Sequence, residues 1–152
     1  MDCCSSNHKE VRIENDGVCP SCKNKGKSLK LITLRSMLVP SALETLNANV
    51  NHYFCSYQEC DVVYFDAENK NYLTSDIKVV VHQKDDDVTT PICYCFDWTK
   101  EKIEKYVIQE LSPNPIEHIQ ENIKENRCGC EVNNPQGSCC LGNVTKFIRQ
   151  LL

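Results

Sequence analysis

The chain has 152 residues, a net charge of −4 at pH 7, a mean hydropathy of −0.44, 41% hydrophobic and 7% aromatic residues. That length allows one ordinary domain or two small ones with thin cores. The acidic balance argues against general nucleic-acid binding, which needs a basic face, and no run of 18 apolar residues offers a membrane span. Twelve cysteines are the feature to explain. The first residues are polar from position 2, with no apolar signal segment, so the expected compartment is the reducing cytoplasm. There, clustered cysteines bind metal more often than they form disulfides.

Residues 1–15 read as a flexible tail carrying Cys3 and Cys4, with His8 nearby. Soft thiolates favour Cu(I), so this pair is either a metal-capturing tail or a plain reduced one. Residues 16–82 read as an α+β module. "KNKGKSLK" (Lys23, Lys25, Lys27, Lys30) is the sole candidate basic patch and reads as a solvated loop. "SLKLITL" (28–34) reads as a strand. "TLRSML" and "VPSALETL" read as two helical turns, with Pro40 starting the second. "HYFC" (52–55) and "DVVYF" (61–65) have strand composition, and "NYLTSDIKVVV" closes the module with another strand. "HQKDDDVTTP" (82–91) lacks apolar periodicity, and an acidic linker is expected over 83–91.

Residues 92–152 switch to helical periodicity. In "TKEKIEKYVIQEL" (99–111), Ile103, Val107 and Leu111 recur every fourth residue behind Thr99, a candidate N-cap. "NPIEHIQENIKEN" (114–126) has Asn114 as cap, Pro115 at the first helical position, and Ile116, Ile119 and Ile123 on one face. "LGNVTKFIRQLL" places Leu141, Val144, Phe147, Ile148 and Leu151 on one face. The fold class expected is α+β: a small zinc-stapled α+β module followed by a small three-helix module. Four histidines (His8, His52, His82, His118) share no ligand spacing, and His118 is expected to face solvent.

Two constellations carry the chemistry. "CPSC" (Cys19, Cys22) and "CSYQEC" (Cys55, Cys60) are two close pairs separated by enough chain to fold back, the pattern of structural zinc. Four thiolates saturate tetrahedral Zn²⁺, so the role expected is in folding, not catalysis. "ICYCFDW" holds Cys93 and Cys95, and "NRCGCEVNNPQGSCCLGN" (126–143) holds Cys128, Cys130, Cys139 and Cys140. A C-x-C pair is too tight for an unstrained disulfide and suits an iron–sulfur cluster, with the later loop supplying the other ligands. Helix starts near Thr99 and Leu141 would favour its negative charge. Zinc is the simpler occupant of this second set.

"CYCFDWTKEKI" followed by "CGCEVNNPQGSCCLGNVTKFI" resembles the [2Fe-2S] domain of bacterioferritin-associated ferredoxins. Together with "CPSCKNKGKSLKLITLRSML" and "YFCSYQECDVVYF" upstream, the chain from about residue 15 to 152 is more similar still to the N-terminal domain of CopZ-type copper chaperones. The resemblance implies zinc at Cys19, Cys22, Cys55 and Cys60. It also implies a [2Fe-2S] cluster with Cys93 and Cys95 on one iron and one cysteine from each later pair on the other. Cys130 and Cys140 are the members chosen, with Cys128 and Cys139 as alternatives. This sequence departs from the ferredoxin pattern by a nine-residue insert between Cys130 and Cys140. The family's chaperones also carry an M-x-C-x-x-C copper-binding domain, and no such motif occurs here: the two methionines are Met1 and Met37.

The function implied is that of a cytoplasmic zinc and [2Fe-2S] redox protein in copper homeostasis, transferring single electrons as in reduction of Cu(II) to Cu(I). Its implied partners are the copper ion and either a copper-transporting ATPase or a separate copper-binding chaperone domain, without nucleic acid or membrane insertion. Two other readings compete: a ferredoxin-like partner of an unrelated oxidoreductase, and a protein-interaction module with a structural or sensory cluster.

Overall fold

The computed structural model describes residues 16–152, so the expectations for Cys3, Cys4 and His8 lie outside the described residues. Four short strands, β1 (Lys27–Leu29), β2 (His52–Phe54), β3 (Val62–Asp66) and β4 (Asn71–Leu73), form one antiparallel sheet in sequence order. Helices α1 (Leu31–Met37) and α2 (Pro40–Leu43) pack on it. The strand expected over 28–34 therefore stops at Leu29. Leu34, Met37 and Leu38 are buried at the spacing of three and four residues that only a helix can place on one face. Pro40 opens α2 as anticipated.

Strand β3 is buried along its whole length. A bulge between Val62 and Tyr64 breaks the simple alternation of faces. Val63 and Tyr64 pack with Leu34, Met37 and Phe54, whereas Val62 and Phe65 pack with Cys19, Cys55 and Cys60. The strand expected in "NYLTSDIKVVV" ends at Leu73: the Asp76 carboxylate accepts from the Leu73 N–H at 2.8 Å and turns the chain through Thr74–Asp76.

The second half begins with the hairpin β5 (Pro91–Cys93) and β6 (Trp98–Thr99). It continues through α3 (Lys100–Ile108), α4 (Pro115–Lys124), the one-turn α5 (Cys130–Asn133) and α6 (Leu141–Leu151). Thr99 Oγ1 accepts from the Lys102 N–H at 3.2 Å, and Asn114 Oδ1 accepts from Ile116 and Glu117, so both caps read from the sequence are present. Ile103, Ile119 and Val144, one from each long helix, meet Ile92 and Trp98 in a second core. His118 does not simply face solvent: its Nδ1 accepts from Trp98 Nε1 at 3.0 Å, satisfying the polar edge of a buried indole.

The two halves interlock. Residues 126–143 lie against α1: Thr33 Oγ1 donates to the Glu131 carbonyl at 2.7 Å, and Lys30 pairs with Glu131 at 2.6 Å. The buried Tyr64 hydroxyl donates to the Pro135 carbonyl at 2.6 Å. Gly137 sits at φ +71, and a Cβ there would lie 2.8 Å from Leu29 and Thr33. The segment read as an acidic linker is likewise packed. Lys84 donates to the Tyr57 and Cys60 carbonyls at 2.8 and 3.0 Å, and Gln83 to Gln136 at 2.7 Å. Sequence polarity missed this because the contacts are made by polar groups.

Candidate metal centres

The first centre is built on two turns. In the 19–22 knuckle, Lys23 adopts φ 64 and its N–H donates to the Cys19 carbonyl at 2.9 Å, folding Cys22 back beside Cys19. Cys55 and Cys60 flank the turn between β2 and β3. The four sulfurs all lie within 4.8 Å of one another. Cys19 and Cys60 are 3.9 Å apart and Cys22 and Cys55 3.6 Å, close to the roughly 3.8 Å edge of a tetrahedron with 2.3 Å zinc–sulfur bonds.

The environment fits a tetrathiolate centre. Backbone N–H groups of Ser21 and Cys22 donate to Cys19, and that of Tyr57 to Cys55. Lys84 Nζ approaches Cys55 Sγ at 3.6 Å. Without a cation the thiols divide their protons unevenly. Burial pushes Cys55 up to about 12. Cys22 stands at about 6, because donation from Asn24 and contact with Cys55 and Cys19 outweigh its burial. A divalent ion held here by Cys19, Cys22, Cys55 and Cys60 would take the place of the shared protons, with Lys84 offsetting part of the surplus negative charge.

The second centre joins the β5–β6 turn to the 126–143 loop. Cys95 and Cys130 sulfurs are 3.7 Å apart. Contact with Cys140 holds Cys130 down at about 6 and lowers Cys93, while the same contacts push the Cys140 thiol up. The sulfurs thus run Cys95, Cys130, Cys140, Cys93. The group of described residues found to converge within 4.8 Å is the first quartet. Cys93 and Cys140 are 0% and 2% exposed, whereas Cys95 and Cys130 are half-buried. The alternatives Cys128 and Cys139 are both exposed, and the Cys139 sulfur accepts the Leu141 N–H at 3.4 Å.

Residues 16–78 match the CopZ-type family described as a zinc-binding domain. The first centre lies wholly inside that match. The copper chaperone CopZ of Archaeoglobus fulgidus is 28% identical over 123 residues, which are 80% of this chain. The chain spans 57% of that relative's length. The X-ray structure of the N-terminal domain of the same organism's CopZ superposes with a TM-score of 0.70 at 23% identity, covering 85% of this chain and 95% of that one. The α+β architecture here is therefore the fold of that CopZ N-terminal domain. None of the described helices is long and apolar enough to cross a membrane.

Sequence reasoning missed three residues around these centres. Lys84 was hidden in the supposed linker. Gly129 and Asn133, which donate to Cys95 from N–H and Nδ2 at 3.2 and 3.5 Å, sit in the cysteine-rich loop. The signal available was the placement of Gly129 between Cys128 and Cys130, where a backbone N–H can approach a sulfur.

Proposed function

We propose that the chain is a two-centre metalloprotein of copper handling. Zinc is held by Cys19, Cys22, Cys55 and Cys60 in a unit over 16–82, and a [2Fe-2S] cluster by Cys93, Cys95, Cys130 and Cys140 in a helical unit over 92–152. The observation that supports the second assignment is the meeting of Cys95 with Cys130, and of Cys140 with Cys130 and Cys93, across two loops without a single-point convergence like that of the first quartet, which suits two adjacent metal ions. When bound, such a cluster supplies one-electron chemistry. The chain's own residues contribute a dry inner edge (Cys93, Cys140, Ile92, Trp98) and an outer edge open to solvent at Cys95 and Cys130.

Likeness to a protein named a copper chaperone directs the function to copper: one electron reduces one Cu(II) to Cu(I), the form thiolates prefer. A copper-transporting ATPase or a separate copper-binding domain would receive the product, in a reducing compartment such as the cytoplasm. The test is anaerobic mixing of dithionite-reduced protein with one equivalent of Cu(II). Recovery of the oxidised visible bands with formation of Cu(I) is expected. Bands that stay bleached would leave the protein an electron carrier for some other acceptor.

A further inference from the structure

The two edges of the second centre differ in what surrounds their sulfurs. Cys93 and Cys140 are enclosed by the helical core. Cys95 lies at the outer edge and accepts two donors from outside its own loop, the Gly129 N–H at 3.2 Å and the Asn133 side-chain amide at 3.5 Å. Both come from the single turn α5 and its N-cap Gly129, and the turn begins with Cys130. The turn is closed by the Asn133 N–H donating to the Gly129 carbonyl at 2.9 Å. A Cβ on Gly129 would stand 3.2 Å from Asn133 Nδ2, so the missing side chain at 129 is what leaves room for the amide to reach the sulfur. Among the described residues, Asn133 is the side-chain amide that donates to Cys95.

Resting on the iron–sulfur reading above, we infer that Asn133 is a positioning residue that sets the reduction potential of the second centre by donating to Cys95. An added electron raises the negative charge on the ligating sulfurs, and a donor aimed at a sulfur stabilises the reduced state more than the oxidised one. Removing it lowers the potential without removing a ligand. Asn133 is exposed and is not one of the thiols of the centre.

The experiment is a redox titration of Asn133→Leu, Asn133→Asp and Gly129→Ala beside the parent, with iron and acid-labile sulfide measured in each. All three should keep parental iron and sulfide, and the potential should fall in every case. The fall should be greatest for Asn133→Asp, which adds a negative charge, intermediate for Asn133→Leu, and smallest for Gly129→Ala, which only displaces the amide. Gly129→Ala displaces the amide without adding charge, so it decides the question if the leucine variant loses its metal. An intact centre with unchanged potential in the Asn133 variants overturns the inference alone. A parent lacking acid-labile sulfide overturns the iron–sulfur reading and this inference with it.

Discussion

The two cysteine quartets are made from the same atoms and differ in arrangement. Cys19, Cys22, Cys55 and Cys60 converge on one point, with every sulfur within 4.8 Å of every other. In the second set Cys95 lies against Cys130, and Cys140 against both Cys130 and Cys93, with no such single-point convergence found. The surroundings differ in parallel. A lysine ammonium stands beside the first quartet, where four thiolates around one divalent ion leave excess negative charge. The second is approached by neutral amides. The lesson is that cysteine count does not decide the metal; the distances and donors around the sulfurs do.

The largest expected effect comes from breaking the first quartet. Cys22→Ser should release zinc and collapse the cooperative melt of the α+β half, because structural zinc supplies on the order of 10 kcal/mol or more of folding free energy. Metal analysis and a thermal melt check this; full zinc with an unchanged melt would remove Cys22 from the site. Within the second quartet, Cys140→Ser should lose or distort the visible spectrum while Cys139→Ser keeps it, since Cys140 is buried among the other thiols and Cys139 is exposed. The opposite result shifts the ligand by one position.

Two smaller effects probe the interface between the halves. His82 is held at about 4, first by burial and then by Lys100, against about 6.5 for a free imidazole. Between these values the unfolded chain takes up a proton that the folded one refuses. Stability from this group is therefore complete above pH 6.5 and declines as pH falls toward 4, by on the order of 3 kcal/mol. Denaturant titrations of the parent and His82→Gln at pH 7 and 4.5 should show a shallower fall in the variant. The difference between them cancels proton competition for the shared thiolates. Gly137→Ala forces a side chain into a left-handed turn and against Leu29 and Thr33. It should cost roughly 1–3 kcal/mol, read as a lowered melting temperature with zinc retained.

Much of this was legible in the sequence for reasons that can be named. Strands at 52–54 and 62–66, the caps Thr99 and Asn114, and the apolar stripe of α6 are local signals, carried by β-branched residues, capping side chains and helical periodicity. The paired spacing of Cys19, Cys22, Cys55 and Cys60 is local in each half and needed only one fold-back. What was illegible depends on long-range polar contacts. Tyr64 meets Pro135, Thr33 meets Glu131, and Lys84 reaches the first quartet from a stretch that composition marked as a linker. The strand expected at 28–34 failed because an apolar run this short fits a strand or a helix, and burial of Leu34, Met37 and Leu38 against β3 chose the helix. Cys130 was separable from Cys128 only once the turn of α5 placed its sulfur against Cys95.

The central claim is that the converging quartet takes one zinc and the second quartet a binuclear iron–sulfur cluster. Its most direct test is a visible absorption spectrum with zinc, iron and acid-labile sulfide analysis on anaerobically purified protein. The account predicts one zinc per chain together with iron and sulfide in equal amounts, two of each, and charge-transfer bands that dithionite bleaches. A colourless protein carrying two zinc ions and no sulfide would contradict it.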